Sequence, residues 1–189
     1  ILKNNKIQLD LSDNEVSINS NGNYSLDEEF DDYKIIFSKK LDKYFFESDL
    51  KMDKNLINID EIGYNKKKNI SSNIKIKGNY RNLDADNKSG EFKFDDIIIL
   101  DGKNKILISN LYFTSNYKVK NIDMVELSYI NSDNNKNYLK LFKKNNNYKL
   151  IGDTFDGRLL INKLLTGDSN KSFFKIFKNL NSKIILSLE

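Results

Sequence analysis

The chain has no cysteine, proline, tryptophan or histidine. Without cysteine there is no disulfide framework and no thiolate nucleophile, and without histidine there is no imidazole base. Together these absences exclude ordinary zinc and haem sites. They do not identify a compartment, because an oxidising space permits disulfides without requiring them. Arginine is nearly missing too, with only Arg81 and Arg158. Nucleic-acid recognition favours the guanidinium group, so no nucleic-acid partner is expected. The 8 glycines are scattered, and no glycine-rich loop precedes a lysine-bearing helix, which argues against a phosphate cradle. Oxygen-rich "DADN" (84–87) and "NSDNN" (131–135) lack the spacing of a calcium loop and read as turns. No cofactor and no metal are expected. No run approaches the roughly 20 apolar residues that cross a bilayer, and no signal peptide is visible.

What is present is enough for a core: 189 residues, 39% hydrophobic and 12% aromatic. The net charge of +4 conceals an asymmetry. Residues 1–50 carry 6 Lys against 11 Asp and Glu, whereas residues 51–189 carry 25 Lys and Arg against 16 acids. Because lysine alternates with apolar residues instead of clustering, these charges read as the solvated sides of strands. The one dense basic run, "NKKKN" at 65–69, reads as a hairpin loop.

Period-two alternation recurs along the chain. It places Ile7, Leu9 and Leu11 on one side of "KIQLDL", Val16 and Ile18 on one side of "EVSINS", and Ile74, Ile76 and Tyr80 on one side of "NIKIKGNY". Phe92 and Phe94, Ile106 and Ile108, and Leu139 and Leu141 continue the pattern. Polar clusters at 19–23, 84–90, 101–105, 131–137 and 143–147 read as turns, separating about ten to twelve strands before residue 152. No strand-then-helix rhythm is present, so a doubly wound α/β fold is disfavoured. The expectation is a mainly β chain of antiparallel meanders. Its apolar faces are either closed in a sandwich or barrel, or left as the trough of an open, strongly curved sheet.

Only residues 152–181 break this pattern. Asp156 is placed as a helix N-cap, with Phe155 and Leu160 at the spacing of a hydrophobic staple. Leu160, Ile161, Leu164 and Leu165 then share a face, and Gly167 stands where a C-terminal glycine is favoured. A second short amphipathic helix is expected from Ser172, with Phe173, Ile176, Phe177 and Leu180 as its stripe. Such helices would pack on the sheet, plug an opening between strands, or lie in a membrane interface. A strand is expected to resume at 182–189.

The segment from Gly152 through "FDGRLLINKLL" resembles a recurrent element of the AsmA-like family of bacterial envelope proteins, in its YhdP-like branch. Asp156, Arg158, Leu160 and Ile161 match that element, and Leu159 stands where the family commonly has proline. The resemblance extends over residues 90–189, through the paired strands of "NYLKLFKKNNNYKLIGDTFD" and the strand of "FKNLNSKIILSLE". It implies an elongated β-groove with an apolar concave side, bound to phospholipid acyl chains and implicated in phospholipid transport between inner and outer membranes. The resemblance further implies a periplasmic location, an inner-membrane anchor N-terminal to these residues, and envelope protein partners. The chain starts at Ile1 and stops within "SKIILSLE", and reads as a single fragment of such a longer protein.

On that reading Ile7, Leu9, Leu11, Ile74, Ile76, Phe92, Phe94, Ile106, Ile108, Leu139 and Leu141 line the groove. Phe155, Leu160, Leu164, Phe173 and Phe177 form a helical plug or cover. Burying a methylene is worth about 0.8 kcal/mol, so a sixteen-carbon chain resists exposure to water by roughly 12 kcal/mol, a barrier that a continuous apolar trough removes. The competing reading is a non-catalytic β-sandwich serving as a structural or interaction module. Catalysis by paired carboxylates is not expected, because Asp95, Asp96, Asp153 and Asp156 stand beside turns or at a cap, where they have structural roles.

Overall fold

The structure is a computed structural model that describes residues 1–26, 28–82, 90–114, 118–145, 147–159, 162 and 184–186. Alternation becomes strand almost everywhere it was expected. The elements are β1 (Leu2–Ser12), β2 (Glu15–Tyr24), β3 (Asp31–Lys40), β4 (Lys43–Lys51), β5 (Ile57–Ile59), β6 (Tyr64–Lys66) and β7 (Ser72–Asn82). They continue with β8 (Gly90–Asp101), β9 (Asn104–Phe113), β10 (Val119–Asn121), β11 (Met124–Ile130), β12 (Lys136–Lys144), β13 (Asn147–Ile151) and β14 (Ile184–Leu186).

Eleven strands lie side by side in the order β1-β2-β3-β4-β7-β8-β9-β11-β12-β13-β14, and β10 pairs with the far end of β9. The sheet is not closed: β1 stands at one end of this order and β14 at the other. At about 4.8 Å per strand, the row of strands runs roughly 48 Å. Sequence neighbours pair antiparallel through hairpins, with one departure from the expected meander. β14 lies parallel to β13, Tyr148 opposite Ile184, so these two strands are not joined as a hairpin.

Turns fall as expected at Gly102 and Lys103, at 132–134 and at Asn145. Gly102 and Asn145 both take positive φ there, a conformation that glycine and asparagine tolerate. Residues 19–23 correct the expectation of a turn: "NSNGN" is the middle of β2. Asn19 pairs with Gln8 on one side and Ile36 on the other, and Asn23 with Lys3 and Asp32. Two ladders outweigh the local turn preference, and Asn23 also donates to Asp32 at 2.6 Å. The turn falls instead at Asp13 and Asn14. The expected segment 84–90 lies outside the described residues except for Gly90, which opens β8.

Residues 52–71 leave the sheet between β4 and β7, tied at the base by the Met52 N–H donating to Ser72 O at 3.0 Å. Within this excursion β5 and β6 make a separate two-stranded hairpin. "NKKKN" is therefore not its loop, which is 60–63; Asn65 and Lys66 belong to β6. The two expected helices lie outside the described residues apart from Arg158, Leu159 and Asn162, which have helical backbone. Asp156 accepts the Arg158 N–H at 3.2 Å, the bond an N-cap makes.

Gly78 allows the aromatic rings on its face to close up. It pairs with Phe46 on one side and Phe94 on the other, and those two rings meet edge to face across it, 5.6 Å apart. A Cβ at Gly78 would stand 2.7 Å from Phe46 Cζ and clash with the Lys93 carbonyl, which is backbone and cannot swing away. Gly78→Ala is expected to destabilise the chain by about 1–3 kcal/mol. Urea denaturation would show this as a lower midpoint at unchanged slope.

Candidate functional site

Residues directly opposite each other in an antiparallel ladder put their side chains on the same side of the sheet. Tracing the pairs gives rows that each cross several strands. One runs Ile7, Ser20, Ile35, Ser48, Ile76, Ile97, Ile108, Val125, Leu141, Leu150. A second runs Leu9, Ile18, Phe37, Phe46, Gly78, Phe94, Leu111. The row Leu11, Val16, Lys39, Tyr44, Tyr80, Phe92, Phe113 flanks them on one side. Tyr33, Leu50, Ile74, Ile99, Ile106, Leu127 and Leu139 flank them on the other. All eleven residues expected to share an apolar surface thus lie on one side of one sheet.

The opposite side is mixed: it carries Ile36, Phe45, Ile98 and Leu107 among charged residues. Lys75 pairs with Asp49 at 3.4 Å and Lys77 with Glu47 at 3.9 Å, each across strands and in solvent, where such pairs contribute little stability.

Burial along the apolar side is uneven. Ile7 is 72% exposed, and Leu9, Leu11, Val16, Ile18, Ile35 and Phe37 are exposed with it. At the other end Ile106 is only 4% exposed and Leu111 and Leu127 are buried. The difference is made by cover from the chain itself. Ile57, Ile59, Ile62 and Tyr64 of the β5–β6 excursion pack with Ile106, Leu127 and Tyr129, joined by Phe155. Leu111 packs in a second buried cluster with Val119, Ile122 and Tyr148. Phe155 therefore lies in the cover, whereas Leu160, Leu164, Phe173 and Phe177 lie outside the described residues.

A polar pin sits under this cover. Tyr64 and Lys66 alternate on the inward side of β6, and Lys66 is fully buried. Its ammonium donates to the carbonyls of Met52, of Asp53 at 3.0 Å and of Asn55 at 2.8 Å, holding the start of the excursion as a bound cation would. Burial lowers the Lys66 pKa, and the carboxylates of Asp101, Asp31 and Asp53 oppose that shift. Asp101, itself buried, accepts from the Tyr64 hydroxyl and from Asn104, both at 3.0 Å. Asp31 accepts from Asn55 at 2.6 Å and from the Lys54 N–H. Among the described residues no three acidic side chains are arranged to hold a metal ion.

No protein-family model, curated protein or solved structure matches the chain. Of the residues that carry the family resemblance, Leu160 and Ile161 lie outside the described residues, and Asp156 and Arg158 have a visible structural role. The Asp156 carboxylate accepts from Arg158 Nε at 2.8 Å and from Asn131 at 3.3 Å, and Arg158 also reaches Asp133 at 3.1 Å. These bonds dock the segment after β13 onto the β11–β12 hairpin. The Arg158 guanidinium holds the Asp156 carboxyl down at about 2. The other carboxylates considered for catalysis also have local partners: Lys93 for Asp95 at 2.7 Å and Ser109 for Asp96 at 2.8 Å. Asp153 is exposed. Among the described residues no helix is long and apolar enough to cross a membrane.

Sequence reasoning passed over Ile35, Phe37 and Phe46 as face residues. Their period-two spacing in "YKIIFSKK" and "KYFFESDL" was an available signal. Lys66 gave none, since Lys67 and Lys68 beside it are the same residue type.

Replacing Lys66 by Met would leave three carbonyls without their donor, and a loss of about 2–4 kcal/mol is expected, read by chemical denaturation. A second expectation concerns alkaline pH. Burial pushes the Tyr24 and Tyr129 phenols up to about 12, with Asp31 and Asp156 respectively adding to the shift. A folded-state pKa above the unfolded value of about 10 confers stability that is present below pH 10 and lost as pH rises toward 12. Tyrosinate absorbance should therefore rise together with loss of the β-sheet circular dichroism above pH 10.

Proposed function

We propose that the chain is a lipid-binding β-groove segment of an AsmA-like envelope protein, holding phospholipid acyl chains against the exposed part of its apolar face. The observation that carries this reading is the uncovered strip over β1–β3, where Leu9, Ile18, Ile35 and Phe37 are exposed on one side of the sheet. Single exposed apolar residues are ordinary, but a contiguous strip across three strands marks a place where something apolar binds. An acyl chain suits such a strip: it is long, narrow and featureless, and the rows present apolar side chains without a closed pocket. Movement between membranes, the periplasmic location and the inner-membrane anchor follow from the resemblance carried by Asp156 and Arg158, and no chemical step by this chain is part of the proposal.

A second reading, a non-catalytic structural module, draws on the covered half. There Tyr64, Ile106, Leu127 and Tyr129 form a filled core of the kind a sandwich has. The two readings divide at β1–β3.

Photo-crosslinking residues at Leu9 and Phe37 separate them, with Phe45 as control. Phe45 is 40% exposed but stands on the opposite side, paired with Ser38 and Asn79. Lipid adducts at Leu9 and Phe37 and none at Phe45 are the expected result in cells. Equal labelling at all three positions, or none, would defeat the groove.

A further inference from the structure

Many lysines on the strands have acidic neighbours. Lys75 faces Asp49 and Lys77 faces Glu47, while Lys93, Lys105 and Lys120 meet Asp95, Glu126 and Glu91. The base of the β5–β6 excursion departs from that pattern. Three connections come together there. The Asn69 N–H donates to Asp53 O at 2.7 Å, which sets the β6–β7 connection, residues 67–71, against the start of the excursion. The Gly102 N–H donates to Ser71 O at 3.3 Å, which adds the β8–β9 turn. Lys54, Lys67 and Lys103 are thereby brought to one end of the sheet, next to Lys51 at the end of β4, and all four are exposed. None of these four has an ion-pair partner among the described residues.

The acids nearest these lysines point inward. Asp53 accepts the Ser72 N–H at 2.7 Å, Asp31 accepts the Lys54 N–H at 3.0 Å, and buried Asp101 accepts from the Tyr64 hydroxyl. Their charge is taken up by backbone amides, by that phenol and by Lys66 inside, so these connections present positive charge to water. Exposed Glu28 and Glu29 on the β2–β3 connection bound the patch on the β1 side. Two aliphatic side chains also stand in water on these connections: Leu56 is 58% exposed and Ile70 39%.

Unpaired lysines beside protruding aliphatics fit an anionic bilayer. Its surface offers diffuse negative charge to ammonium groups, which need no fixed geometry, and an acyl layer beneath for a few apolar side chains. A nucleic acid would favour arginine and stacking aromatics, and residues 52–56, 67–71 and 102–103 contain neither. We propose that the base of the excursion is a membrane-docking surface, with Lys51, Lys54, Lys67 and Lys103 against anionic headgroups and Leu56 and Ile70 entering the acyl boundary. The proposal does not rest on the groove reading, since it uses connections at the strand ends and not the apolar face. Vesicle binding here and acyl-chain adducts at Leu9 and Phe37 are separate readouts, and either can fail alone.

The chain has no tryptophan, so Ile70→Trp supplies a single reporter. In the full purified chain its emission should shift to the blue with vesicles of phosphatidylcholine and phosphatidylglycerol, and not with phosphatidylcholine alone. Salt near 1 M, where the Debye length falls to about 3 Å, should release the chain. Added to that reporter, Lys54→Ala with Lys67→Ala should weaken binding about 25-fold, at roughly fivefold per lysine. Lys75→Ala with Lys77→Ala removes the same charge from the flat of the sheet and should leave binding unchanged. Circular dichroism would verify that each variant keeps its strands, and flotation of the unaltered chain with the same vesicles gives a readout independent of the reporter. The proposal is overturned by no binding to the anionic vesicles, by equal binding to both vesicle types, or by an equal loss in the two lysine pairs. Binding to soluble polyglutamate without binding to vesicles would assign the patch to an acidic protein and overturn it as well.

Discussion

Register across the sheet is the constraint on which the rest of this molecule depends. Side chains alternate sides with a period of two, so one slipped residue in any strand would turn its apolar set to the polar side. Ten consecutive strands from Ile7 to Leu150 keep a single row of mainly apolar residues on one side. The demanding place is the middle of the sheet. In β8, Phe92 and Phe94 are two apart and Ile97 and Ile99 are two apart, but the two pairs are out of phase. Asp95 takes up the difference as an extra residue, since Gly78 pairs with Phe94 and Lys77 with Asp96. Asn110, at a φ of 50°, makes the matching adjustment in β9 between Ile108 and Leu111. A bulge therefore keeps the apolar side continuous where plain alternation would have broken it.

Continuity alone does not determine what the face does; cover does. The β5–β6 excursion closes one half with apolar contacts and with Lys66, an ammonium used as an internal cross-brace for backbone carbonyls. Buried tyrosines carry polar atoms into this cover without leaving them unpaired. Tyr129 donates to Ile62 O at 2.6 Å, and Tyr148 donates to Ile122 O at 2.8 Å. Over β2–β4 the excursion covers only one end, where Met52 and Ile57 pack with Tyr24, Tyr33 and Leu50; the rest of the face over β1–β3 has no such lid among the described residues. The proposed binding function belongs to the uncovered part of that face.

Much of this was legible from local pattern. Ile7, Leu9 and Leu11, or Ile106 and Ile108, announce strand and sidedness because both follow from the geometry of residues two apart. The turns at Gly102 and Asn145 were legible for a similar reason, as positive φ favours those residue types. Asn19 to Asn23 misled because their turn preference is a fraction of what two flanking ladders supply. Lys66 was invisible because burial is assigned by parity within β6 and by what β6 lands on, neither of which a lysine among lysines displays.

The amino-acid sequence by itself determined that this is a chain of strands with one apolar side, since alternation is written residue by residue and needs no distant contact. Only the tertiary structure decided which half of that side is closed. The contacts that close it join residues far apart in the chain, as in the bond from Tyr129 to Ile62, 67 positions away. The parallel docking of β14 on β13 and the phase change at Asp95 belong to the same class. Each depends on what a strand meets across the ladder, and that partner is specified by the whole fold and not by the strand's own residues.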